Sequence, residues 1–141
     1  MADLLDVNVW IALSAKDHSL HYRAVQYWRQ SSEGDLVFCR HTALGFVRVV
    51  GGPHTRGGAA LDPGEAWRVY TQWLSAPGVQ FATEPQGIES VLSRWVSDGL
   101  ITRRIWPDAY LAAFSILTGS RFVTFDRDFA RFPGLKLLHL A

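Results

Sequence analysis

The chain has 141 residues, 48% hydrophobic and 19% charged, enough apolar material for one compact core and too little charge for a disordered chain. Its 14 basic residues nearly balance 13 acidic ones, which excludes polyanion binding by bulk charge and leaves only a local patch or a bridging metal ion. The single Cys39 cannot form an internal disulfide, the opening MADLLDVNVW lacks a basic region and long apolar signal, and no apolar run is membrane-spanning, so a reducing cytoplasm and no membrane partner are expected.

Strand and helix patterns alternate along the chain. LLDV (4–7) reads as a short strand, and VWIALSA (9–15) continues as a helix after Asn8. In residues 17–34 a helix is predicted to start at Asp17, with Leu20, Ala24, Tyr27 and Trp28 at helical spacing and Gly34 as its stop. DLVFC (35–39) is a second strand, and TALGFVRVVGG (42–52) a helix capped by Thr42 and closed by two glycines. Residues 51–65, with five glycines and two prolines, form an extended loop that lacks the Gly-Lys-Ser/Thr ending of a P-loop. Helices are then predicted over 63–76 and 87–99, with the short strand GVQFA (78–82) between them. WPDAYLAAFSILTG (106–119) has proline in its first turn, an acid behind it and glycine at its end, the marks of a helix. RFVTF (121–125) is a strand, DRDFARF (126–132) a helical turn, and LKLLHL (135–140) a last strand. Strands joined through helices require crossover connections. The expected architecture is a single domain, a three-layer α/β/α fold around a mainly parallel sheet of four to five strands.

In such sheets functional groups collect beyond the carboxyl ends of strands, where the strand order reverses. Asp6 ends the first strand and Asp126 follows the strand at 121–125. Asp108 lies in the first turn of the helix that leads back to that strand, so its end of the helix begins at the same edge. Each acid has an ordinary explanation: Asp6 as a helix N-cap, Asp108 as a partner of its helix dipole, Asp126 as the start of a turn. Their meeting at one edge is what points to a site. Gathered carboxylates raise one another's pKa, and no lysine lies near any of them in sequence. A hard divalent cation offsets the charge, and an all-oxygen donor set favours magnesium or manganese over zinc. The chemistry this suits is metal-assisted hydrolysis of a phosphodiester.

The segments LLDVNVWIAL, HTALGFVRVV, WPDAYLAAF and FVTFDRDF resemble the four signatures of PIN-domain ribonucleases, specifically the VapC toxins of type II toxin-antitoxin pairs. The resemblance spans almost the whole chain and implies a PIN-like fold and a magnesium-dependent endoribonuclease acting on tRNA or rRNA. It also implies a homodimer inhibited by a cognate VapB-type antitoxin protein. By position Asp6, Asp108 and Asp126 match active-site acids that hold metal. Asp128 matches a less constant acid that orients water or metal, and Asn8 and Thr124 match polar supports. Relatives often carry glutamate shortly before the arginine of the FVR segment, where this chain has Gly45. That departure keeps open a degenerate domain acting only through antitoxin binding.

Arg48, Arg103 and Arg104 are candidates to hold phosphates, with Arg94 nearby, and a solvated face is the competing reading. His18 and His21 lack a third metal ligand, and His41, His54 and His139 show no nucleophile or base in sequence. Of the six tryptophans, Trp28, Trp67, Trp73 and Trp95 fall on predicted helices and are expected in the core, in a subunit contact or against the antitoxin. A haloacid-type phosphatase would need a second acid where Asn8 stands. A signalling receiver would need a lysine after its last strand, whereas Lys136 lies inside the strand pattern.

Overall fold

The computed structural model describes residues 1–31, 34–52 and 61–141. In chain order these form β1 (Asp3–Leu5), α1 (Val7–Ser14), α2 (His21–Gln30), β2 (Leu36–Phe38), α3 (Arg40–Val50), α4 (Pro63–Ser75), β3 (Val79–Phe81), α5 (Ile88–Ser97), α6 (Trp106–Thr118), β4 (Arg121–Thr124), a 3-10 helix (Arg127–Arg131) and β5 (Leu137–His139). Five strands make one sheet in the order β3-β2-β1-β4-β5, and every neighbouring pair is parallel. The chain lays down β1, β2 and β3 outward in one direction, then crosses back to place β4 on the other side of β1. The reversal therefore falls between β1 and β4.

Strand alternation decides the layers. Leu5, Phe38 and Val123 face one side and join the core built with Val9 and Trp10 of α1, Phe46 of α3 and Tyr70 of α4. Leu4, Val37 and Phe122 face the other, against Ala109, Ala112, Ala113 and Phe114 of α6 and Trp95 of α5. The three fully buried alanines let α6 lie close to the sheet. Trp10 stacks on Phe38 with ring centroids 3.9 Å apart, and Trp73 tilts against Trp10 at 5.5 Å. No described helix is long and apolar enough to cross a membrane.

Three helix starts differ from the sequence expectation. The first begins at Val7, inside the expected strand run and before Asn8, because the Asp6 carboxylate accepts the Val7 N–H (2.8 Å) and caps the helix there. The second helix begins at His21, not Asp17, because His18 Nδ1 accepts the Leu20 N–H (3.0 Å) and closes a turn across the intervening residues. The third begins at Arg40, two residues before Thr42. Thr42 Oγ1 reaches back to accept the Cys39 N–H (2.9 Å) and donate to the Cys39 carbonyl (3.1 Å), so it braces the helix start from inside the first turn. Residues 53–60 of the predicted glycine-rich loop, including His54, lie outside the described residues. At the loop's exit Asp62 and Glu65 cap α4 reciprocally, with Pro63 at its first position.

At the amino edge of the sheet, Asp3 is buried and faces Arg121 in register. Arg121 Nε and Nη2 donate to its two carboxylate oxygens (3.0 and 2.9 Å), and the Tyr27 hydroxyl of α2 donates to Oδ2 at 2.6 Å. This triad ties a helix to the edge opposite the predicted site, and nothing in strand periodicity announces it.

Candidate active site

Asp6 follows β1 with extended backbone and caps α1, Oδ1 accepting the Val7 N–H at 2.8 Å. Its Oδ2 accepts the Thr124 hydroxyl at 2.7 Å. Thr124, fully buried at the end of β4, uses its oxygen three ways: it donates to Asp6 and accepts from the Asp126 N–H (3.0 Å) and from Asn8 Nδ2 (3.3 Å). One hydroxyl thereby fixes the acid of one strand and the backbone bearing the acid of the next, its full hydrogen-bonding capacity spent. Asn8 completes the link by accepting the Phe125 N–H on Oδ1 at 3.4 Å. Asp126 caps the 3-10 helix through the Asp128 N–H (2.9 Å). The ordinary capping roles and the convergence therefore coexist: the caps aim the acids.

Asp108 is half-buried in the first turn of α6 and carries no side-chain hydrogen bond among the described residues. Burial pushes it above the ordinary carboxylate range, Asp126 and Asp128 add to the shift, and Arg131 and His41 oppose it. Asp6 rises from 3.8 to about 6, chiefly by burial, with Asp108 and Asp126 pushing the same way against its hydrogen bonds to Thr124 and Val7. The four acids thus feel one another across the β1/β4 crevice. Among the described residues, however, no three His, Cys, Asp or Glu side chains form a ready-made metal-ligand set.

Sequence reasoning missed His41 and Arg131. His41 follows the carboxyl end of β2 in the first turn of α3, the same edge logic that located Asp108; burial lowers its pKa while Asp108 raises it. Arg131 closes the 3-10 helix, Nε donating to the Asp128 carbonyl at 3.1 Å. The arginines singled out from sequence are exposed: Arg103 and Arg104 on the turn before α6, Arg48 on α3, where it acts on His41. Gly45 marks the crossing of α3 over α1, where an added Cβ would lie 2.8 Å from Val7 Cγ2. A glutamate there requires the Val7 side chain or the helices to give way. Among the tryptophans, Trp28 and Trp73 pack on the core, Trp95 is buried, and Trp67 is exposed.

The PIN domain model matches residues 4–135, which takes in β1 through the 3-10 helix and all four acids. The chain belongs to the PIN-domain family. The chain is 32% identical to ribonuclease VapC41 of Mycobacterium tuberculosis over 98% of each chain, a likeness to the VapC group. It is 33% identical to ribonuclease VapC44 of the same organism over 100% of this chain and 99% of that one. The VapBC2 structure from Rickettsia felis, bound to a promoter DNA fragment, superposes with a TM-score of 0.72 over all of both chains at 14% identity, a likeness of fold. As a VapC-family PIN domain, the chain has the α/β architecture the sequence led us to expect, with five strands and a wholly parallel sheet. Lys136 precedes β5 at the amino edge, opposite the acids, so the lysine a receiver domain requires is absent from their rim among the described residues.

Proposed function

We propose that this VapC-family PIN domain is a metal-dependent endoribonuclease, the toxin of a toxin-antitoxin pair. The observation that carries the reading is the linked pair Asp6 and Asp126, oriented by one Thr124 hydroxyl, with the open carboxylate of Asp108 electrostatically joined to both. The donor chemistry fits a hard cation: oxygens only, in a pocket where burial and mutual repulsion disfavour the ionised acids until a positive charge arrives. Asp6, Asp108 and Asp126 would hold magnesium, with manganese as a substitute. What a divalent cation supplies there is charge neutralisation and Lewis acidity toward a phosphodiester oxygen.

The chain's own residues do the remaining work. Thr124, braced by Asn8, holds the Asp6 carboxylate and the Asp126 backbone, the Asp128 N–H holds the Asp126 carboxylate, and Asp128 serves to orient the attacking water. Arg131 tempers the charge on Asp108 before substrate binds. Arg48, Arg103 and Arg104 are placed on exposed surface where RNA phosphates can be met. A VapB-type antitoxin is the expected protein partner, supported by the likeness of fold to the Rickettsia felis VapBC2 structure, and a homodimer is the expected state.

The test is incubation of purified, antitoxin-free protein with total RNA and magnesium. Discrete cleavage of tRNA or rRNA, lost by at least about a hundredfold in Asp108→Asn and Asp126→Asn and abolished by a chelator, supports the reading. Intact RNA throughout, with Asp6→Asn as toxic in cells as wild type, refutes it.

A further inference from the structure

Beside the acids lies a cavity of about 540 Å³, within the size range of small-ligand sites. Its walls are the start of α3, the segment leaving β3, and one side of α6; Phe114 forms a buried part of the lining. It adjoins the acids through two links. Tyr110, on its wall, is two residues beyond Asp108, and His41 is both an electrostatic neighbour of Asp108 and a ring contact of Tyr110 at 5.7 Å.

The polar groups in this cavity are held in place. Glu84 Oε1 accepts the Tyr110 hydroxyl at 2.8 Å, which anchors one carboxylate oxygen and leaves the other available. Arg40 is pinned with its guanidinium 4.5 Å from the centre of the Phe81 ring, and a second contact joins it to Tyr70. The Tyr110 ring, one anchored acceptor and a guanidinium stacked on Phe81 therefore share a single pocket one step from the acids. Aromatic faces take unstacked bases of single-stranded RNA, and the Watson–Crick edge then sets the identity.

We propose that this cavity is a base-recognition subsite that selects guanine, next to the linkage cleaved; the inference rests on the ribonuclease reading above. The choice follows from hydrogen-bond chemistry. An ionised carboxylate only accepts. Guanine offers it two adjacent donors, N1–H and the N2 amine. Adenine and cytosine place a repelling ring-nitrogen acceptor beside their single amine, and uracil flanks its one N–H with two carbonyls. Arginine in turn donates to guanine O6 and N7. Glu84 is the specificity-determining residue and Arg40 its complement.

The experiment titrates GMP, IMP, AMP, CMP and UMP into the full-length protein without metal, following the Tyr110 and His41 resonances. GMP should saturate both, binding about tenfold more tightly than IMP, which lacks only the N2 amine. Glu84→Gln, at an exposed position, should fold normally and lose the GMP preference, whereas Asp108→Asn should keep it. Mapped RNA cuts should then carry guanine on one side of the broken linkage. Equal binding of all five nucleotides overturns the proposal, as do Tyr110 and His41 signals that respond to protein concentration but not to GMP, which would mean a second copy covers the cavity. Specific GMP binding with cuts not flanked by guanine also overturns it, because the pocket then takes a free nucleotide. Selective GMP binding without any RNA cleavage supports the subsite chemistry and refutes the ribonuclease reading instead, so the two failures differ.

Discussion

Replacing Asp6 by asparagine should make the metal-free protein more stable while removing its activity. Burial lifts the Asp6 carboxyl from 3.8 to about 6, so the folded state disfavours the ionised form that prevails at neutral pH. The displacement corresponds to roughly 3 kcal/mol of destabilisation at neutral pH. Its sign follows from the raised folded value: the stability attached to this group is fully present below 3.8 and is lost as pH rises through about 6. Asparagine removes the titration but gives up the 2.7 Å acceptor for the Thr124 hydroxyl, a loss of about 1 kcal/mol. The net expectation is a gain of about 2 kcal/mol at about pH 7.5, a rise in Tm on the order of 4–8 °C for a domain of this size. Below about pH 4.5 the gain should vanish or reverse. Urea melts of both proteins in a chelator across this range measure the difference directly. Magnesium should then raise the wild-type midpoint and leave the variant's nearly unchanged, since a ligand stabilises only the state that binds it. An asparagine variant less stable than wild type at pH 7.5 in chelator would refute the account of a frustrated carboxylate.

Further outcomes follow from the packing and the hydrogen bonds. Thr124→Val deletes the hydroxyl shared by Asp6, Asn8 and Asp126 and should lower RNA cleavage by about ten- to a hundredfold, with Thr124→Ser largely restoring it in single-turnover assays. Arg121→Ala leaves the buried Asp3 charge with only the Tyr27 hydroxyl and should cost about 3–5 kcal/mol in urea denaturation, against about 1–2 kcal/mol for Tyr27→Phe. Gly45→Ala should destabilise by about 1–3 kcal/mol through contact with Val7, less roughly 1 kcal/mol of helix propensity, and Val7→Ala should relieve the clash in a double-mutant cycle. Gly45→Glu should be worse than Gly45→Ala for stability.

What the sequence by itself determined is the order of elements and the edge at which function gathers. Strand runs at 4–7, 35–39 and 121–125 alternate with helical periodicity, and that alternation implies a mainly parallel sheet with Asp6, Asp108 and Asp126 at its carboxyl edge, while the pairing of β1 with β4 that brings them together belongs to the tertiary structure. Local signals were legible where the physics is local: Pro107 and Gly119 bound α6, and Pro63 opens α4. They misplaced the starts of α1, α2 and α3, where the Asp6 carboxylate, the His18 ring and the Thr42 hydroxyl settle the turn through side-chain bonds that periodicity does not encode. Only the tertiary structure decided that a single Thr124 hydroxyl serves two strands, that His41 and Arg131 are electrostatic neighbours of Asp108, and that Gly45 stands where two helices touch. Those relations join residues far apart in the chain, and their energies depend on distances that exist only once the sheet has closed.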